Sequence, residues 1–157
     1  DYTEANAWQY FWTPTQYDIK GVTELLSGKS NFTTKLNDFF TTHAENPNKI
    51  LGQEAMIGKY AHGNEPIHHI IYLYAYSNEP KKGQTYIHQV INEFHNNTPD
   101  GMIGNDDCGQ MSAWYVMSAM GFYSVTPGSV YLCLGAPLFP KTVIQLENGK
   151  DFTILAP

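Results

Sequence analysis

The stretch Gly104-Asn105-Asp106-Asp107-Cys108-Gly109-Gln110-Met111-Ser112-Ala113-Trp114 constrains this chain most, because it sets two adjacent carboxylates between glycines at the mouth of an apolar segment. That segment runs on through Tyr115, Val116, Met117, Ala119 and Met120 to Gly121, which predicts a helix with a glycine stop. Asp106 or Asp107 is a natural N-cap, since a short carboxylate accepts hydrogen bonds from the first free backbone N–H groups. A cap needs only one Asp. The positive field at a helix start favours ionised carboxylates, and a carboxylate kept ionised suits a general base or a cation ligand.

The 157 residues, 42% hydrophobic, suffice for one ordinary core. There is no initiator Met, no signal peptide and no apolar run of transmembrane length, so the sequence reads as a piece of a larger protein. A net charge of -6 with nine Lys plus Arg and no basic cluster argues against nucleic acid or an anionic membrane as partner. The 14% aromatic content suits core packing, and aromatic faces also make platforms for sugar rings. Cys108 and Cys133 lack metal-type spacing; one bridge or two free thiols fit them.

At the start of the chain, Glu4 is flanked by Tyr2, Trp8, Tyr10, Phe11 and Trp12. Enclosure by these aromatics favours the protonated acid a general-acid role needs, whereas a place in a helix's first turn leaves Glu4 solvated. Pro14 interrupts this segment. A short helix is expected from Tyr17 to Leu26, closed by Ser27-Gly28, and another from an N-cap at Ser30, with Phe32, Leu36, Phe39 and Phe40 on one face and Asn46-Pro47 ending it. Asn31-Phe32-Thr33 and Asn96-Asn97-Thr98 match the short glycosylation sequon.

A second constellation is Tyr60-Ala61-His62-Gly63-Asn64-Glu65-Pro66-Ile67-His68-His69. Pro66 fits the first position of a helix, which makes His62 to Glu65 a loop above its N-terminus. Adjacent His68 and His69 point apart and His62 lies across a loop, so zinc is disfavoured. Asn64 and Glu65 either offer the hard oxygen ligands calcium prefers or cap the helix. The helix reads Ile70, Ile71, Leu73, Tyr74 and Tyr76, apolar nearly all round and hence buried. Pro80 starts a further helix with Ile87, Val90, Ile91 and Phe94 at helical spacing, and Thr98-Pro99-Asp100-Gly101 is a turn. Val130 to Leu134, Thr142 to Glu147 and Phe152 to Leu155 read as strands, the last two joined by Asn148-Gly149. The expected class is mainly α, with five or six helices followed by a small antiparallel sheet.

Four blocks carry a resemblance to a known family: Tyr2 to Tyr10, His62 to His69, Gly104 to Trp114 and Gly121-Phe122-Tyr123. In that order they resemble the signature blocks of glycoside hydrolase family 92, exo-acting, calcium-dependent, inverting α-mannosidases. The resemblance implies a fragment of an (α/α)6 toroid over residues 1–126 and the start of a C-terminal β-strand region over residues 127–157. The N-terminal β-sandwich and the remainder of the toroid would come from the same protein. It implies Glu4 as general acid and Asp107 as general base. Many members carry a second acid where this chain has Asn105, which can orient water but cannot share the base's charge. The implied calcium ligands are Asn64 and Glu65, and the implied substrate contacts are Glu54, His68, Asp106 and Trp8. Gln53-Glu54 stands where α-1,2-specific members present a His-Glu pair, and only the Glu fits. Mannose-containing glycans in a periplasmic or extracellular setting are the implied partners. The competing class is a calcium-dependent, lectin-like mannose-binding module, for which an enclosed acid opposite a second carboxylate has no use.

Overall fold

The computed structural model describes residues 5–43 and 56–156. Helix α1, Ala7–Trp12, is opened by a reciprocal capping box: Asn6 Oδ1 accepts from Gln9 N–H at 3.0 Å, and Gln9 Oε1 accepts from Asn6 N–H at 3.2 Å. Pro14 breaks the α-helical ladder, and the chain continues as a 3-10 turn over Thr13–Tyr17. Helix α2, Ile19–Leu25, is capped by Asp18 and ends at Ser27 and Gly28, both with positive φ.

Helix α3 is Lys29–Thr41, with Gly28 rather than Ser30 at the N-cap, because the left-handed Gly28 already delivers the chain in helical direction. Its end precedes Asn46-Pro47, which lie outside the described residues. The spacing of Phe32, Leu36, Phe39 and Phe40 places all four in the core, as expected. Trp12 meets Phe32 and Phe39 edge to face, with centroids at 5.5 and 6.4 Å. Full burial of each such ring contributes about 1.5–3 kcal/mol.

Two short strands, β1 Met56–Ile57 and β2 Tyr60–Ala61, form an antiparallel pair leading into a 3-10 turn at Glu65–Ile67 with Pro66 in its first turn. The apolar run Ile70–Tyr76 is a 3-10 rather than an α-helix. Ile70 to Tyr74 are buried on every side, so packing rather than an amphipathic face sets its winding. Helix α4, Pro80–Glu93, crosses it so closely that a Cβ at Gly83 would collide with Tyr74 and stand 3.0 Å from the Ile71 carbonyl.

Helix α5, Gln110–Met120, stops at the left-handed Gly121. It is tied to the 3-10 run by a 2.6 Å hydrogen bond between the Tyr72 hydroxyl and Ser118 Oγ. Beyond it, β3 Phe122–Tyr123 pairs with β4 Cys133–Leu134, across residue 126. The expected strand from Val130 shrinks to two residues because Ser129 Oγ holds the Tyr131 N–H in a turn and β3 offers only two partners. Strands β5 Lys141–Gln145 and β6 Asp151–Leu155 form the hairpin that Asn148-Gly149 predicts, closed at Leu146 and Lys150 with Gly149 left-handed. In place of one small sheet, the described residues hold three separate two-stranded pairs. Cys108 is exposed and Cys133 buried, both as free thiols.

Candidate active site

Parts of three of the blocks singled out in the sequence pack on one another. The Gln9 side chain is fully buried and donates to the Lys59 carbonyl at 3.0 Å, which docks α1 on the β1–β2 turn. Ala5, Gln9, Tyr10 and Thr13 then face Asn64, Glu65, Pro66 and Ile67 across a cavity of about 330 Å³. Asn64 is 8% exposed and Glu65 half-buried.

The third block is fastened to the second by backbone. Gly104 has φ +73°, and a Cβ there would collide with the Gly63 carbonyl and lie 2.9 Å from its Cα. Only glycine allows both. Ten residues on, Trp114 Nε1 donates to the His68 carbonyl at 3.2 Å, and the indole packs edge-on to His62 with centroids 4.3 Å apart.

Between these anchors lies a tight turn. Asp107, Cys108 and Gly109 are successive left-handed residues, with φ 48°, 60° and 96°. For Cys108 that conformation costs about 1–2 kcal/mol, and for Asp107 less, because Asp is among the residues that tolerate it. Hydrogen bonds hold the turn in place. Asn105 Oδ1 accepts from Asp107 N–H at 3.1 Å, and the Asp106 carbonyl accepts from Gly109 and Met111 N–H at 3.1 and 3.2 Å. Asp106 Oδ1 accepts from Ser112 N–H at 2.9 Å. The residue next to the helix is thus Gly109, and the capping carboxylate is that of Asp106, reaching over the turn. Among the described residues the Asp107 carboxylate, on an exposed residue, accepts no hydrogen bond, and its charge acts on His68.

The histidines line the interior behind this turn. His68 Nε2–H donates to the His62 carbonyl at 3.0 Å, and His69 Nε2–H to the Trp12 carbonyl at 3.0 Å. Burial pushes both imidazoles down to about 4, the carbonyl hydrogen bond opposing it in each case and the Asp107 charge opposing it further in His68. Burial holds His62 well below the usual histidine range, and the neighbouring imidazoles of His68 and His95 add to the effect. His62 and His68 stack at 4.7 Å, and the Tyr60 hydroxyl lies 2.9 Å from His62 Nδ1. His62 Nε2, His68 Nδ1 and His95 Nε2 are buried and have no hydrogen-bond partner among the described residues. Among the described residues no group of three or more His, Cys, Asp or Glu side chains has an arrangement that holds a metal ion.

The model of the glycosyl hydrolase family 92 catalytic domain matches residues 1–157. The chain belongs to glycosyl hydrolase family 92. It is 40% identical to the family GH92 α-mannosidase BT3965 of Bacteroides thetaiotaomicron, over 94% of this chain and 19% of that one, with a TM-score of 0.82. It is 36% identical to the family GH92 inverting mannosidase BT2199 of the same organism, over 98% of this chain and 22% of that one, with a TM-score of 0.78. An "uncharacterized secreted glycosidase" of Arthroderma benhamiae is 29% identical over 96% of this chain and 18% of its own length. The chain therefore spans about a fifth of the length of these relatives. Its architecture is the mainly α one expected, a fragment of the family's (α/α)6 toroid followed by antiparallel strands.

Within this family 92 chain, the contacts of Gly104 with Gly63 and of Trp114 with His68 seat the segment that carries Asn105, Asp106 and Asp107 against the one that carries Asn64, Glu65 and His68. Trp8 is not in the Asn64–Glu65 cavity; 38% exposed, it lines a separate groove of about 240 Å³ with Ala7, Phe11, Trp12 and Lys35. His68 is 1% exposed and faces the protein interior. Glu4 and Glu54 lie outside the described residues, though Ala5, next to Glu4 in sequence, lines the cavity. Sequence reasoning passed over Gln9 and Gly63. Asn6-Ala7-Trp8-Gln9 carries a capping-box spacing that would have flagged Gln9, whereas nothing local to Gly63 announces a partner forty-one residues away.

Proposed function

We propose that the protein is an exo-acting, inverting α-mannosidase that cleaves terminal α-mannosidic linkages, α-1,2 among them, with Asp107 as general base and Glu4 as general acid. The observation that carries this reading is the seating of the Asp107 turn, through Gly104 on Gly63, against the loop that runs on into Asn64 and Glu65, with the Asp107 residue exposed. The likeness to BT3965 and BT2199, an α-mannosidase and an inverting mannosidase, supports the reaction class.

Inversion needs one protonated and one ionised carboxyl, roughly 6.5 to 9.5 Å apart, with water between the base and the anomeric carbon. Asp107 takes the proton of that water while Glu4 gives one to the glycosidic oxygen. Asn105, engaged through Oδ1 with Asp107 N–H, leaves Asp107 as the carboxylate that accepts the water's proton.

The donor chemistry around the cavity fits calcium. Its lining offers the amide oxygen of Asn64, the carboxylate of Glu65, and Tyr and Thr hydroxyls, with no thiol or imidazole. Asn64 and Glu65 would hold the ion, which when bound supplies electrostatic stabilisation and orientation of the sugar hydroxyls. Mannose-containing glycans are the substrate class, with Glu54 as the contact to the leaving sugar in this reading; buried His68 and Trp8 in its separate groove do not face the cavity. Glu54 matches the Glu of the His-Glu pair of α-1,2-specific members and favours that linkage, although Gln53 stands in place of the His. The N-terminal β-sandwich and the rest of the toroid belong to the same protein. A periplasmic or extracellular setting accords with a relative described as secreted, and no helix among the described residues is long and apolar enough to cross a membrane.

The test is hydrolysis of α-1,2-mannobiose by the full-length protein, with and without a calcium chelator, beside the Asp107→Asn and Glu4→Gln variants. The reading expects chelation to abolish turnover and each substitution to lower kcat by about 10²–10⁴-fold. Near-normal turnover in either variant contradicts the residue assignment, and mannose binding without turnover favours a lectin-like module.

A further inference from the structure

Asn105 and Asp106 make side-chain hydrogen bonds that hold the acidic turn, and the Asp107 carboxylate makes none among the described residues. We propose that Asp106 is a positioning residue, whose carboxylate takes no part in the chemistry and instead fixes the left-handed turn that presents Asp107. The inference rests on Asp107 being the general base.

Asp106 is half-buried, and one of its carboxylate oxygens is committed to Ser112 N–H at 2.9 Å. Its carbonyl takes two further N–H groups, from Gly109 and Met111. One residue therefore receives three of the bonds that lock the turn to the first turn of α5. On the other side, Asn105 Oδ1 holds Asp107 N–H, and Gly104 is pressed on Gly63. Asp107 and Cys108 stand in a conformation that non-glycine residues avoid, so the turn persists only while these bonds hold it. The Asp107 carboxylate is outside this network among the described residues, free of any capping duty. The adjacent pair thus divides into one carboxylate spent on geometry and one left exposed outside the network.

Amide and carboxylate oxygens cap a helix about equally well, so the role needs an acceptor but no charge. That separates it from any catalytic or ligand role. The experiment is steady-state kinetics on α-1,2-mannobiose with full-length Asp106→Asn, Asp106→Ala and Asp107→Asn, with the melting temperature of each. The expected pattern is a kcat within about threefold of the parent for Asp106→Asn, whose Oδ1 still accepts from Ser112. Asp106→Ala is expected to lose about 10²-fold in kcat with KM little changed, the size of effect a misplaced catalytic group produces. Asp107→Asn is expected to lose activity regardless. If Asp106→Asn is as inactive as Asp107→Asn, Asp106 acts through its charge and the positioning role is overturned. Parent-like kcat in Asp106→Ala overturns it as well. Parent-like kcat in Asp107→Asn removes the base assignment itself and the inference with it, an outcome distinct from the other two.

Discussion

The backbone of Gly104 lies directly against that of Gly63, with no room for a side chain between them. This contact is what turns two separate sequence motifs into one site, since it fixes the Asp107 turn over the loop that carries Asn64 and Glu65. Gly104→Ala meets both a collision and a positive φ of 73°. It should destabilise the protein by about 2 kcal/mol or more and lower kcat as the two loops part, measured by denaturant unfolding and kinetics on the same preparation.

Trp114 makes the second fastening, its indole N–H on the His68 carbonyl. Trp114→Phe keeps an aromatic ring beside His62 but leaves that buried carbonyl without its donor. The expected loss is about 1–3 kcal/mol, seen as a lower midpoint with an unchanged slope in urea unfolding.

His68 and His69 give a pH prediction with a definite sign. Both are buried neutral, with folded values near 4 against about 6.5 when unfolded. Between these limits the unfolded chain binds more protons than the folded one, so stability falls as pH drops. Above pH 6.5 there is no effect. Below it, each imidazole removes about 1.4 kcal/mol per pH unit down to about pH 4. Unfolding free energies at pH 7, 6 and 5 test this, and replacement of His69 by Asn should flatten the profile.

The calcium assignment predicts that metal and fold are linked. On that assignment, calcium should raise the melting temperature of the full-length protein by mass action. Asn64→Ala and Glu65→Gln should each shift that rise to higher calcium concentrations, read by thermal unfolding across a calcium titration, with no substrate present.

Periodicity made the core faces legible: Phe32, Leu36, Phe39 and Phe40 on α3, and Ile87, Val90 and Ile91 on α4, are buried as their spacing demands. Asn148-Gly149 marked the hairpin because its positive φ is a local requirement. The Ile70–Tyr76 run was legible as buried but not as 3-10, since a segment apolar on all sides carries no period that tells one winding from another. Which of Asp106 and Asp107 caps α5 was also hidden. It depends on two non-glycine residues turning left-handed, a conformation imposed by the surrounding bonds rather than by residue preference. The four blocks predicted the family; the long-range contact of Gly104 with Gly63, which joins two of them, had no local signature.

The most direct measurement is the anomeric configuration of the sugar released by the full-length protein from the methyl glycoside of α-1,2-mannobiose, whose other product has no free anomeric centre, followed by proton NMR from the first turnover. The account predicts β-mannose as the initial product, appearing only with calcium present and mutarotating afterwards. Initial release of α-mannose would contradict it, because retention requires the second carboxylate to attack the sugar rather than activate water.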